Sequence, residues 1–487
     1  MSAFPGSLSL PRFRPAPRWA GVAGAWRLAA LTIALVTFSS LLVVGATPLV
    51  RLPLALAIGF ALTMLTLARP TAGVLVTMAY LVVLAFVRRL LISTTGWWQA
   101  DPLLLVGPLV AAVLMVKLFV LERRSLTPDL LSKLVAVLLA LSVVQTVNPA
   151  GGGPGVGVVG LLYVGVPLLW FFIGRELLDD STAERLLTLV VVLGIAVGSY
   201  GLVQSQLGHP PWDRAWIDTA GYISLNVGNV LRPFGTFSSS AEYSLFVGSA
   251  FAIAVALALR GRTVFLLALP LLGAALFLAS SRGALIMSAF AAVTLMGLRT
   301  RQPMRALAVI VVAAGLAFGA FTFFGSSLAS GASGARNDLV SHQLGGLDNP
   351  LDPEQSTLLL HVLIMLDGVK WSFHHPLGQG TASTNVGGVS RGDQEHEAGS
   401  TETDVTNAFV AFGPAGGILY AAIVLLILAG AVRSLFAGSL VMLPIVGVLV
   451  VGLGQWLIGG HYALSPLTWL LIGRIAAMAA RTPPRPG

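Results

Sequence analysis

Runs of about twenty apolar residues follow one another from Arg27 to Ala480, the length a helix needs to cross a bilayer. That pattern leaves little choice of architecture. In hydrocarbon the backbone must satisfy its own polar groups, and uninterrupted apolar runs of this length do so as helices. The fold class expected is an all-α polytopic membrane protein. Hydropathy marks about fourteen transmembrane helices, centred near 39, 60, 79, 112, 140, 165, 195, 251, 272, 292, 316, 418, 448 and 472. Composition agrees: 10% of the 487 residues are charged and 56% are hydrophobic, where a soluble domain carries about 25% charged residues.

The basic residues separate the two sides. With the N-terminus on the cytoplasmic side, one set of turns holds Arg69, Arg123, Arg124, Lys133, Arg175, Arg185, Arg260, Arg262, Arg299, Arg301, Arg305, Arg433, Arg481 and Arg485. This is the positive-inside pattern, and it places both termini in the cytoplasm. The net charge of +9 is then a topology signal rather than a nucleic-acid-binding one. Arg51 and the Arg88–Arg89 pair fall on the other side; the pair is the main dissent and is expected at the headgroup level. The basic N-terminal stretch with Arg12, Arg14 and Arg18 imitates a signal peptide, but the run from Ala29 to Val50 is long enough for a first span. The last two spans are short, which suggests tilt or partial re-entry.

The organisation expected is N-terminal helices over 1–206, further helices over 207–325, a large external loop over 326–404 and C-terminal helices over 405–487. Within the loop, Leu358, Leu359, Val362, Leu363, Leu366, Val369 and Trp371 recur with a mainly helical period. An amphipathic helix lying along the membrane surface fits them. The chain has no cysteine, which excludes disulfides, a thiol nucleophile and thiolate metal sites. Adjacent His374 and His375 point apart and make a poor metal pair. Neither a metal nor a cofactor is expected.

Polar residues concentrate on the external side. Arg232-Pro233-Phe234-Gly235-Thr236-Phe237 forms a turn, and Ser238–Ser240 can cap the helix that begins at Glu242. A helix N-terminus with an adjoining Arg suits a phosphate. Glu242 lies at the head of an apolar run, where a carboxylate is costly and therefore a functional candidate. Ser280-Ser281-Arg282-Gly283 is a tight corner whose Arg runs against the topology rule. His375-Pro376-Leu377-Gly378-Gln379-Gly380 reads as a shaped turn. Glu395, His396 and Glu397, then Glu402, Asp404, Thr406 and Asn407, precede a span expected to begin near Ala408. The first three read as a solvated charge run.

Three of these segments resemble those of the O-antigen ligase and O-antigen polymerase superfamily of bacterial membrane glycosyltransferases. Arg232–Phe237 is similar to its Arg-x-x-Gly-Thr-Phe segment, Ser281-Arg282-Gly283-Ala284 to its Ser-Arg-Gly-Ala corner, and His375–Gly380 to its His-Pro-Leu-x-Gly-x-Gly turn. The resemblance covers roughly residues 200–430. It implies transfer or polymerisation of a glycan from an undecaprenyl-diphosphate carrier to a glycan or lipid-linked acceptor. The setting it implies is the external, periplasmic face of the bacterial cytoplasmic membrane, with other polysaccharide-assembly proteins as partners. Arg232 and Arg282 would hold the diphosphate, and Asn407 and Thr406 would position substrate. Ligases commonly carry His-Asn where this chain has Thr406-Asn407. That departure leaves the general base to Glu402, Asp404, Glu242 or a loop histidine, His375 or His396, and favours a polymerase or another exopolysaccharide-assembly enzyme over a lipid A-core ligase. A polytopic transporter and a non-catalytic assembly partner are the competing readings.

Overall fold

The structure is a computed structural model that describes residues 50–98, 100–124, 129–220, 226–227, 230–299, 308, 358–385, 401, 403–439, 441–457 and 461–481. Eight helices among these residues are long and apolar enough to cross a membrane, and the chain is a helical membrane protein. They are α1 (Arg51–Ala68), α2 (Pro70–Leu90), α3 (Pro102–Leu121), α4 (Leu130–Val147), α5 (Pro154–Leu177), α6 (Asp180–Leu207), α8 (Ser240–Leu259) and α12 (Asp404–Phe436). Four shorter apolar helices join them: α9 (Thr263–Leu278), α10 (Arg282–Leu298), α13 (Met442–Val451) and α14 (Leu464–Arg481). Outside this set lie α7 (Pro211–Ala220) and α11 (Leu358–Ser372). A two-stranded antiparallel hairpin pairs Asn226 with Leu231. The spans expected near 39 and 316 lie outside the described residues.

Side-chain caps set several of the helix starts. Asp129 and Asp179 accept from the Ser132 and Thr182 amides at 2.9 and 2.8 Å, and Ser239 accepts from Glu242 N at 3.1 Å. Each satisfies an amide that has no intrahelical acceptor. α6 stops at Gly208, whose φ of 82° leaves the helical region, just before Pro210 and Pro211. α8 is the centre of the bundle, with 78% of its most apolar window buried. α5 and α14 cross closely: Gly174 lies against the Leu470 carbonyl and Gly473 against the Phe171 carbonyl, so a side chain at either would strike backbone. Small residues permit this approach where helices pack within a bilayer. α13 has ten residues, about 15 Å of helix against a hydrocarbon core of about 30 Å. It is too short to cross by itself.

The Arg51, Arg88 and Arg89 side chains are buried inside the protein. Arg51, Arg88 and Arg89 are 0%, 8% and 1% exposed. Arg51 and Arg88 share the buried carboxylate of Asp101, the latter at 3.1 Å, and Arg89 pairs with Asp213 at 2.8 Å. The three cations are there because two acids from later segments meet them. Lys117, near the end of α3, donates from Nζ to the Leu67 carbonyl at 2.9 Å.

Asp101→Ala leaves two buried guanidinium groups without their carboxylate. It should lower the unfolding free energy by about 3–5 kcal/mol, read as a large drop in the thermal midpoint of the detergent-solubilised protein. A midpoint within a degree of wild type rules out this pairing.

Candidate functional site

Backbone geometry at one end of the bundle is set by side chains from several helices. The 232–237 segment is the clearest case. Gln204 Oε1 accepts from Phe234 N and Gly235 N at 3.0 and 2.8 Å. Arg89 donates to the Gly235 carbonyl at 2.5 Å and to the Phe237 carbonyl, and its guanidinium lies 4.7 Å from the Phe234 ring centroid. Thr236 Oγ1 donates to the Val82 carbonyl at 2.7 Å. Gly235 has φ 53°, and Tyr243 packs where its Cβ would be, so glycine alone fits. Phe234, Trp216 and Ile92 form a small separate core over this region. His209 stacks on Phe234, with ring centroids 5.2 Å apart. Burial holds its imidazole below the ordinary range, while Asp213 and a hydrogen bond with the Arg232 backbone act the other way. Arg232 itself is partly buried.

Arg282 opens α10 at the same level as Glu242 on α8. Gly248 of α8 lies against Ser288 of α10, and each stands six residues after Glu242 and Arg282 respectively. Further along, Ala252 of α8 and Leu295 of α10 both meet Gly447 of α13, so the two helices run in parallel. Six residues are about 9 Å of helix, and both charged side chains therefore start from the same height. Ser280, just before the corner, has φ 52° and is 2% exposed. A non-glycine residue in this region is uncommon and stores strain. Ser281 provides no side-chain cap, and the space beside Gly283 is open.

The two described carboxylates nominated as bases hold opposite ends of the 452–463 connection between α13 and α14. Glu242 Oε1 accepts from Ala463 N and Leu464 N at 2.7 and 3.2 Å, at the start of α14. Asp404 Oδ2 accepts from Leu457 N and from Tyr420 Oη, the latter at 3.1 Å, while Asp404 N donates to the Gly454 carbonyl at 2.5 Å. Both residues are buried. Asp404 Oδ1 has no hydrogen-bond partner among the described residues. Glu402 and the Glu395–Glu397 run lie outside the described residues. Thr406 Oγ1 donates to the Thr401 carbonyl at 2.8 Å. Asn407 Oδ1 accepts from Thr401 N and Oγ1 at 2.7 and 2.9 Å. The hydroxyl at 406 and the amide oxygen at 407 thus shape the approach to α12.

α12 does not begin as one straight span near Ala408. Gly413 has φ 73° and ψ −177° and is followed by Pro414, which breaks the helix into 404–412 and 414–436. The break is sharp: Tyr420 reaches Asp404 across sixteen residues, which a straight helix would hold about 24 Å apart along its axis. The His375–Gly380 turn fills the gap. Gln379 N and Gly380 N donate to the Val410 and Ala411 carbonyls, both at 3.0 Å, where Pro414 has no amide to offer Val410. Gly378 and Gly380 have φ of 69° and 89°, and the Gln145 and Asn148 amides donate to the Leu377 carbonyl at 2.8 and 3.2 Å. His375 is exposed, its ring stacked on Trp371 at a centroid distance of 3.8 Å. α11 is helical as the periodicity requires, and its Gly368 lies against Thr401 and Val410. Leu359, Leu360, Leu363 and Leu366 are exposed.

Arg89, Gln204, Asp213, Tyr420 and His461 are buried at this end of the bundle and lie outside the sequence motifs. A paired Arg on the wrong side of the topology pattern was the one signal available, and it pointed to Arg89. His461 is buried, and a cavity of about 10 Å³, the size of one water, lies between it, Tyr163, Trp170 and Tyr462. Among the described residues no group of three or more His, Asp or Glu is placed to hold a metal ion. No protein-family model, no curated protein and no solved structure matches the chain.

Burial pushes the His461 imidazole down to about 4, against an opposing hydrogen bond with the Gln455 backbone. An unfolded His titrates near 6.5, so between these values the unfolded chain binds more protons. Stability should therefore fall as pH drops from about 6.5 to about 4, by on the order of 3 kcal/mol in all. His461→Phe should flatten that part of the profile of thermal midpoint against pH. An identical slope in the variant assigns it to other groups.

Proposed function

We propose that this chain is a membrane glycosyltransferase of the O-antigen ligase and polymerase type. It takes a glycan from an undecaprenyl-diphosphate carrier on the external face of the bacterial cytoplasmic membrane, with both termini in the cytoplasm. A polymerase acting on a second carrier-linked glycan fits better than a lipid A-core ligase, because Thr406 stands where the ligases carry His. The observation that supports this most is the common height of the Glu242 and Arg282 helix starts, with the clamped Arg232 segment leading into the first of them.

In this mechanism the acceptor hydroxyl attacks the anomeric carbon as the bond from that carbon to the diphosphate oxygen breaks. The electron pair leaves with the diphosphate. Arg232 and Arg282 bind that group and stabilise its growing charge, the kind of preorganised electrostatics that dominates many enzymes. The hydroxyl proton passes to Asp404 at the start of α12, or to Glu402 two residues earlier in sequence. Glu242 holds the 452–463 connection in place, and His375 shapes the turn that closes the α12 break.

A transporter is the second reading, and one feature favours it: α12 is broken at Gly413–Pro414, and a buried Asp404 opens the half before the break, as helices are broken at transporter sites. Proton-coupled flux in proteoliposomes would support that alternative. A non-catalytic partner would bind the carrier and leave it intact.

Purified protein given a synthetic undecaprenyl-diphosphate glycan in the presence of EDTA should release undecaprenyl diphosphate with a lengthened carrier-linked glycan, followed by mass spectrometry. Arg232→Ala and Arg282→Ala should each reduce the rate about 100-fold or more, the scale of a lost oxyanion donor. Wild-type rates in both folded, inserted variants exclude the assignment.

A further inference from the structure

The peptide that follows Arg232 is held almost atom by atom. Phe234 N and Gly235 N go to Gln204, and the Gly235 and Phe237 carbonyls go to Arg89. Phe237 N closes on the Phe234 carbonyl at 3.0 Å, and the His209 ring is hydrogen-bonded to the Arg232 backbone. Pro233 has no amide to satisfy and a fixed φ. The clamping side chains are themselves locked. Asp213 receives Gln204 Nε2 at 2.7 Å and Tyr200 Oη at 2.6 Å, pairs with Arg89 at 2.8 Å, and is fully buried. Trp212 Nε1 in turn donates to Tyr200 Oη at 2.8 Å.

A turn that needed only to connect α7 with α8 would not require this. Two helical side chains, Gln204 of α6 and Arg89 of α2, hold the backbone of Phe234, Gly235 and Phe237, and Asp213 of α7, itself bonded by Tyr200 of α6, holds those two side chains. Gln204 and Arg89 thus each bond both the peptide and the buried Asp213 carboxylate. Residues held this tightly by surrounding side chains are those whose geometry a site depends on. We propose that Arg89, Gln204 and Asp213 are positioning residues that fix the backbone from which Arg232 reaches an anionic diphosphate. This rests on the diphosphate role given to Arg232 above. The clamp acts through Arg232 and touches no substrate.

The role makes a distinctive prediction. Removing a clamp member should matter only while Arg232 is present. Gln204→Leu and Thr236→Val weaken the clamp and leave the Arg89–Asp213 ion pair intact, and Thr236→Ser keeps the hydroxyl that bonds Val82. In nanodiscs, two quantities are read for each variant: amide hydrogen exchange over 232–239, and affinity for undecaprenyl diphosphate.

The wild-type segment should exchange slowly. Gln204→Leu and Thr236→Val should speed its exchange and weaken binding about tenfold, with Thr236→Ser restoring both. In an Arg232→Ala background neither should weaken binding further. An equal additional loss in that background shows a general structural role and overturns the proposal. So does wild-type exchange over 232–239 as fast as an open loop. If the wild-type protein binds no undecaprenyl diphosphate while the exchange pattern holds, the diphosphate reading fails and the exchange result supports the clamp alone.

Discussion

Where the backbone leaves helical geometry at one end of this bundle, buried side chains and neighbouring backbone take up the hydrogen bonds the helices would have made. The rest of the structure depends on that substitution. In hydrocarbon an unmade backbone hydrogen bond costs several kcal/mol, so irregular chain survives only where protein satisfies it. Arg89 and Gln204 serve the 232–237 segment. Asp404 and Glu242 serve the 452–463 connection. The His375–Gly380 turn serves the broken α12. Because these repairs share one end, the irregular segments are held against one another and their polar side chains gather there.

This changes the meaning of several charged residues. An acid in an apolar run reads first as a catalytic candidate, and Glu242 fits that expectation by position. One carboxylate oxygen also receives two amides at the start of α14, which ties that chain to α8. Asp404 ties the other end of that connection to α12, with one oxygen left over. Arg51 and Arg88 are internal counterions to Asp101.

How much of this was legible follows from what a one-dimensional pattern records. Helices are periodic and apolar, so the expected centres within the described residues fall on helices, from α1 near residue 60 to α14 near 472. The glycines of the His375–Gly380 turn announce a left-handed backbone, and it is there. The break in α12 was carried by Gly413-Pro414 in plain sight, yet the apolar run continues through it, and hydropathy averages over such a pair. Pairings were not legible. Nothing near Arg89 in sequence names Asp213 or Gly235 as its partner, because those contacts join segments more than a hundred residues apart.

The central claim is that the Arg232 segment and the Ser280–Gly283 corner form one site. The chain has no cysteine, so a designed pair reacts without background. Arg232→Cys with Arg282→Cys, treated in native membranes with a bifunctional thiol reagent of about two helix diameters, near 20 Å, should give an intramolecular crosslink. The close pair Gly248→Cys with Ser288→Cys serves as control with a shorter reagent. A crosslink at both pairs is the predicted result. A crosslinked control with an unlinked 232–282 pair would contradict it and separate the two arginines.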